Sequence, residues 1–329
     1  MQLEVTVPPW ARQVVSDRTD MDRAPRPIDP TAVRRFKVPL PDDVYYEYAF
    51  LDAEGRMRAD PNNPERADNP WYPEVSCVRG PGYRAHPLAA PDPQAARGEL
   101  RRLRLPDGAG GVRRVALYQP AGLTGPAPLA IVHDGTAYQR IARLPALLET
   151  LVAEGRARPA RLAFLDPSRP AARQVEYGFG ERYLREVTRE LLPRLRDQAD
   201  AEGGTVWIGA SLGGLAALRA AWEAPEATAG LVLQSPALLG TPDERDFHGG
   251  RRSWWLETLA HDDRALPWRV AQEVGTFDWL HDVNVEAAAA LAPRVDARRF
   301  VTRSAGHNWT FWRDGLAEGI AFVLAPDAR

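Results

Sequence analysis

The chain has 329 residues, 44% of them apolar and 26% charged, with a net charge of -2 and one cysteine. Its length suggests two domains of roughly 150 residues each, and its composition is that of a folded chain rather than a disordered one. Near-zero charge gives no pointer to nucleic acid or a membrane surface, and neither is expected as a partner, while the lone Cys77 can build neither a disulfide framework nor a zinc site.

The opening MQLEVTVPPW has no basic leader and no apolar run. No later stretch reaches the roughly 18 apolar residues that would span a bilayer, so a cytoplasmic location is expected. Residues 1–95 alternate short apolar segments with Asp-Pro and Asn-Pro punctuation, which predicts strands and loops. The clearest strand is Val44 to Phe50, with Tyr46, Tyr48 and Phe50 on one face and a turn at Asp52-Ala53-Glu54-Gly55 behind it. Pro87 to Gly98, rich in Pro and Ala, reads as a linker.

From about residue 96 the pattern changes to strands alternating with helices, an α/β signature. LRRLRLP and VRRVALYQP come first. Apolar runs follow at Leu129–Val132, Leu162–Leu165, Val206–Gly209, Gly230–Leu233, Trp268–Ala271 and Arg299–Thr302. Such continuous runs suit a mostly parallel sheet covered on both faces. Helices are expected over Glu181 to Arg196 and Leu212 to Trp222, and at the alanine-rich Ala287 to Leu291. The expected organisation is a small all-β domain over 1–95 and an α/β domain over 96–329.

The segment Val206 to Leu215 sets a buried strand, a Gly-x-Ser-x-Gly turn and a helix in the order of a nucleophile elbow, with Ser211 at its tip. Glycines two positions either side of the serine let strand and helix approach, while the serine takes a strained conformation that exposes its hydroxyl. A capping serine in an ordinary glycine-rich connection is the plainer alternative. A serine hydroxyl needs a base. Of six histidines, His307 follows the last expected strand, where this chain order places the base. His133 reads as a core or pocket residue, and His86, His248, His261 and His281 have no comparable position.

The acid should lie between Ser211 and His307, after the strand at Trp268. Asp278 is preferred, with Glu273 and Asp282 as rivals. The oxyanion needs two donors. Leu212 supplies one backbone N–H, and the turn His133-Asp134-Gly135-Thr136 is expected to supply the other, Gly135 allowing close approach.

Together these residues resemble the enterochelin-esterase-like branch of the putative esterase family. The likeness is carried by IVHDG at 131–135, Arg173-x-x-Glu176-Tyr177 followed by ELLPRL at 190–195, GASLGG at 209–214 and GHNWTFWRDGL at 306–316. In the N-terminal part it rests on Phe36 to Pro41, Tyr46 to Phe50 and the Asp60-Pro61-Asn62-Asn63-Pro64 turn. The resemblance implies an α/β-hydrolase fold preceded by an immunoglobulin-like domain. It also implies hydrolysis of catecholate siderophore esters, ferric or apo, with iron arriving inside the substrate and no metal or organic cofactor. Gln234-Ser235-Pro236 departs from the branch's usual Ser-x-Ser. Cationic groups beside aromatic planes would suit such a substrate, and Arg251, Arg252, Trp254, Trp309, Trp312 and Arg313 are the candidates. Two other readings are a carboxylesterase or feruloyl-type esterase acting on another ester, and a non-catalytic protein that binds a glycan or siderophore.

Overall fold

The computed structural model describes residues 1–18, 25–28, 35–69, 72–107, 111–247 and 250–326, so His248 lies outside the described residues. The chain forms two compact units. Unit 1 holds Met1–His86, Val274–His281 and Thr302–Asp314, and unit 2 holds Pro87–Glu273, Asp282–Val301 and Gly315–Arg329.

Unit 1 is rich in strands: β1 (Gln2–Thr6), β2 (Gln13–Ser16), β3 (Arg26–Pro27), β4 (Arg35–Pro39), β5 (Tyr45–Leu51), β6 (Met57–Arg58) and β7 (Ser76–Arg79). β1 pairs with β4, and β5 lies among β2, β6 and β7, every pair antiparallel. Strand periodicity explains why β5 organises this unit. Tyr46, Tyr48 and Phe50 enter one apolar cluster with Val5, Val7, Leu40 and Val44, while Tyr45 and Ala49 enter another with Val15, Val75 and Cys77. Burial on both faces leaves the Cys77 thiol enclosed and raises its pKa. The Asp60–Pro64 turn is tied to this core, since Asp60 Oδ1 accepts from Asn62 N at 2.8 Å and Oδ2 from the Tyr48 hydroxyl at 2.8 Å.

Unit 2 is built on an eight-stranded sheet. Its strands are β8 (Glu99–Pro106), β9 (Val112–Gln119), β10 (Leu129–His133), β11 (Arg161–Leu165), β12 (Thr205–Ala210), β13 (Thr228–Gln234), β14 (Leu266–Gly275) and β15 (Val295–Arg303). The spatial order is β15-β14-β13-β12-β10-β11-β9-β8. The pairs β11–β10, β10–β12, β12–β13 and β13–β14 are parallel, and β8–β9 and β9–β11 are antiparallel. β10, β11 and β12 are buried throughout, as expected of strands covered on both faces. The chain leaves β10 for β11 on one side and returns to β12 on the other. The carboxyl ends of β10 and β12 therefore flank a topological switch point, where open α/β sheets form ligand sites.

The helix expected over Glu181 to Arg196 is interrupted. Two α-helical stretches, Glu181–Arg185 and Leu192–Gln198, flank a π-helical turn at Glu186–Leu191. The wider turn begins at buried Glu186, whose carboxylate receives Arg113 Nε at 2.7 Å and Nη2 at 2.8 Å.

Candidate active site

Ser211 stands between β12 and the helix Leu212–Glu223 with φ 53° and ψ -126°, a conformation that L-residues rarely adopt. It is held there by backbone bonds at both ends: its N–H donates to Gln234 O at 2.9 Å and its carbonyl accepts from Ala237 N at 2.9 Å. The glycines around it are sterically required. A Cβ on Gly209 would overlap the Gly213 carbonyl, one on Gly213 would come within 2.8 Å of Asp134 Oδ2, and one on Gly214 within 2.9 Å of Pro236 Cβ. The serine is half-buried, and the helix onset behind it adds partial positive charge.

β10 and β12 run in register, with Val132 opposite Ile208, which brings the turn after His133 beside the elbow within unit 2. That turn is strained as well, because Asp134 has φ 53°. Its carboxylate is gripped by Arg173, with Nε to Oδ1 at 2.8 Å and Nη2 to Oδ2 at 2.6 Å, and its N–H donates to the Tyr177 hydroxyl at 3.2 Å. Thr136 N–H is committed to Asp166 at 3.0 Å. Gly135 cannot carry a side chain, since a Cβ would lie 2.6 Å from Phe164 Cβ. The Arg173-x-x-Glu176-Tyr177 pattern thus has a physical account. Arg173 and Tyr177 brace the Gly135 turn, and Glu176 receives Arg113 Nη1 at 3.0 Å and Ser168 N at 2.9 Å. Sequence reasoning singled out the motif but not this role, because the partners lie some 40 positions apart.

His133, at the end of β10, is fully enclosed, and burial lowers its pKa to about 4 against the opposing pull of Asp134. It is therefore a neutral core imidazole at ordinary pH.

His307 and Asp278 both belong to unit 1, and their side chains meet, Nδ1 to Oδ2 at 2.7 Å. The Asp278 side chain is wholly buried and that of His307 is 10% exposed. Asp278 Oδ1 accepts from Leu280 N at 2.9 Å, which orients the carboxylate. The imidazole is flanked by Trp279, ring centroids 4.2 Å apart, and by the edge of Trp312 at 4.9 Å. The other two carboxylates are elsewhere. Glu273 accepts from Gln234 Nε2 at 2.6 Å in unit 2, and Asp282 is exposed in the first turn of the helix His281–Leu291.

Of the remaining candidates, Trp309, Trp312 and Arg313 belong to unit 1 and Arg251, Arg252 and Trp254 to unit 2. Trp309 and Trp312 are buried and pack edge to face at 5.1 Å. Arg313 donates to Asp68 at 2.6 Å, and Arg252 is paired with both Glu257 and Asp243. Arg251 is exposed, and Trp254 is half-buried with the Arg219 guanidinium 5.7 Å from its ring. Among the described residues, no group of three or more His, Cys, Asp or Glu could hold a metal ion, and no helix is long and apolar enough to cross a membrane.

Comparison with known proteins adds a family. The family described as Putative esterase matches residues 109–323. An iron(III) enterobactin esterase of Dickeya dadantii is 29% identical over 305 residues, covering 82% of this chain and 65% of that protein. An iron(III) salmochelin esterase of Escherichia coli is 28% identical over 232 residues, covering 65% of this chain and 55% of its own length. The chain thus spans less than two thirds of these two relatives. The enterochelin esterase of Shigella flexneri has the same fold, with a TM-score of 0.73 at 21% identity, covering 99% of this chain and 92% of that one. On the family match, the chain belongs to the putative esterase family.

Proposed function

We propose that this protein is a serine esterase that cleaves carboxylic esters through an acyl-enzyme. In this reading His307, oriented by Asp278, takes the proton from Ser211 as its oxygen attacks the ester carbonyl. The N–H groups of Leu212 and of the Gly135 turn hold the oxyanion, and the imidazolium returns its proton to the departing alcohol. Water then adds with His307 again as base, and the acid is released. The observation that carries the reading is the strained Ser211 between β12 and its helix, with glycines wherever a side chain would collide.

The fold is read as an α/β-hydrolase preceded by an immunoglobulin-like domain. The substrate is read as a catecholate siderophore ester, with any iron arriving as part of it, because the curated relatives are named for iron(III) enterobactin and salmochelin. Arg251 and Trp254 are assigned to this substrate. Trp312 and Trp309, being buried, are assigned a place behind His307.

A fluorophosphonate probe tests the chemistry, since only an activated serine reacts quickly. Labelling is expected in the parent and absent in Ser211→Ala, while Asp278→Asn lowers kcat by about three to four decades. Undiminished labelling of Ser211→Ala overturns the assignment. Cleavage of a tricatecholate trilactone, measured beside a feruloyl ester, tests the substrate. Turnover of the feruloyl ester alone would replace the siderophore.

A further inference from the structure

The segments that carry His307 and Asp278 are stitched to each other and to the N-terminal strands inside unit 1. Thr276 N donates to Arg303 O at 2.9 Å and Phe277 N to Ala305 O at 3.0 Å, while Tyr45 N, at the start of β5, donates to Ser304 O at 3.0 Å. Phe277 packs edge-on against Tyr46 at 6.0 Å and beneath the Arg18 guanidinium at 4.9 Å. Only Gly306 therefore separates the last of these anchored carbonyls, that of Ala305, from His307.

The tightest point of this arrangement is Asp17, which is buried and follows β2. It is clamped to Glu47 of β5 by a reciprocal pair of bonds: Asp17 N donates to Glu47 O at 3.0 Å, and Asp17 Oδ2 accepts from Glu47 N at 2.8 Å. The carboxyl so fixed meets the residue before His307. A Cβ on Gly306 would overlap Asp17 Oδ1 and Cγ. Gly306 does not adopt the left-handed conformation that itself demands glycine, so the Asp17 carboxyl is what leaves no room for a side chain there.

We propose that Asp17 is a positioning residue for the reaction, seating Gly306 so that the His307 ring stays on Asp278. This rests on the reading of His307 as the catalytic base. Burial first, then the neighbouring Glu47 charge, push the Asp17 carboxyl above its ordinary range. The carboxyl accepts from Glu47 N and fills the space beside Gly306. The pairing could not be read along the chain, because Asp17 and Gly306 are almost 300 positions apart.

The contact makes a reciprocal prediction. Gly306→Ala drives a methyl into the carboxyl and displaces the base, Asp17→Gly removes the seat, and in the double variant the methyl enters the vacated space. With p-nitrophenyl acetate, each single change is expected to lower kcat about tenfold or more while KM moves by no more than about threefold. Small displacements of a catalytic group act on turnover to that degree or beyond. The double variant should recover at least part of the loss of Gly306→Ala, a coupling that independent sites do not show. A proton NMR spectrum supplies a readout apart from turnover: the downfield His307 Nδ1 proton of the parent should shift or vanish in both single variants. Should Asp17→Gly not fold, Asp17→Ser takes its place in the cycle. Singles that multiply independently, or an unchanged kcat with an unchanged His307 resonance, overturn the proposal. An unlabelled parent would instead overturn the esterase reading.

Discussion

His133 illustrates how one residue's environment sets a property of the whole chain. Its ring is enclosed by Tyr177, Tyr183 and Trp207, with centroids 5.2, 6.1 and 6.2 Å away. Burial holds its pKa near 4, against an ordinary value of 6.5. Between these two values the unfolded chain binds the proton and the folded chain does not, so stability is lost as pH falls from about 6.5 towards 4. Glu47 works in the opposite sense, because burial raises its carboxyl to about 7 and the folded chain takes up a proton there first. Only a comparison isolates the histidine. Urea midpoints of the parent and of His133→Phe, taken at pH 7.5 and pH 5, should show a smaller loss in the variant. The difference is on the order of 1–3 kcal/mol, at roughly 1.4 kcal/mol for each unit of pKa displacement. Parallel pH dependences would contradict the assignment of a neutral buried imidazole.

At the scale of elements, the turn between β10 and the helix Gly135–Arg140 is held in shape by a neighbouring helix, Arg173–Tyr177. Asp134 in the left-handed region costs about 1–2 kcal/mol that something else must offset. The bidentate Arg173 pair does so, and the Tyr177 hydroxyl links the turn to β11 by donating to Leu165 O at 3.0 Å. If Gly135 is an oxyanion donor, loosening this brace should misplace it. Arg173→Ala is therefore expected to lower kcat about tenfold or more with little change in KM, as the loss of an interaction made in the transition state does. Arg173→Lys should rescue little, because an ammonium cannot reproduce the planar two-point grip. Steady-state kinetics on a chromogenic ester check both, and full activity in Arg173→Lys would argue for a simple charge effect.

For the molecule as a whole, the division into units has a direct consequence. Residues 274–281 and 302–314 share a compact unit with residues 1–86. Deleting 1–86 removes Tyr46 from Phe277, Tyr45 from Ser304, Asp17 from Gly306, and the Tyr83 hydroxyl that donates to Asp314 at 2.7 Å. A fragment comprising residues 87–329 is thus expected to give little soluble protein, and what is soluble should fail to label with fluorophosphonate although Ser211 is intact. Gel fluorescence after probe treatment measures this. Labelling at the parent rate would show that the segments carrying Asp278 and His307 keep their form without the N-terminal strands.

What the sequence alone determined is what local sterics and periodicity control. Buried strands appear as apolar runs, so those from Leu129 to Ala271 were legible within a few residues of their ends, whereas the run at Arg299–Thr302 lies in β15, which is a strand but has no buried residue. The elbow at Ser211 was legible because its glycines and strained backbone are requirements of a single turn. Chain order alone singled out His307 among the six histidines as the candidate base. Contacts across long stretches of sequence carry no such signature. Asp278, Glu273 and Asp282 are equivalent carboxylates along the chain, and only tertiary structure decided that Asp278 meets the imidazole while Glu273 turns to Gln234. Trp309, Trp312 and Arg313 sit in a motif rich in ring and charge, yet packing puts both indoles in the interior and the guanidinium on Asp68. The π-helical turn at Glu186 and the seat at Asp17 depend on partners 73 and nearly 300 positions away. Such groups come together only once the elements around them have packed, and that packing is a property of the folded chain rather than of any window along it.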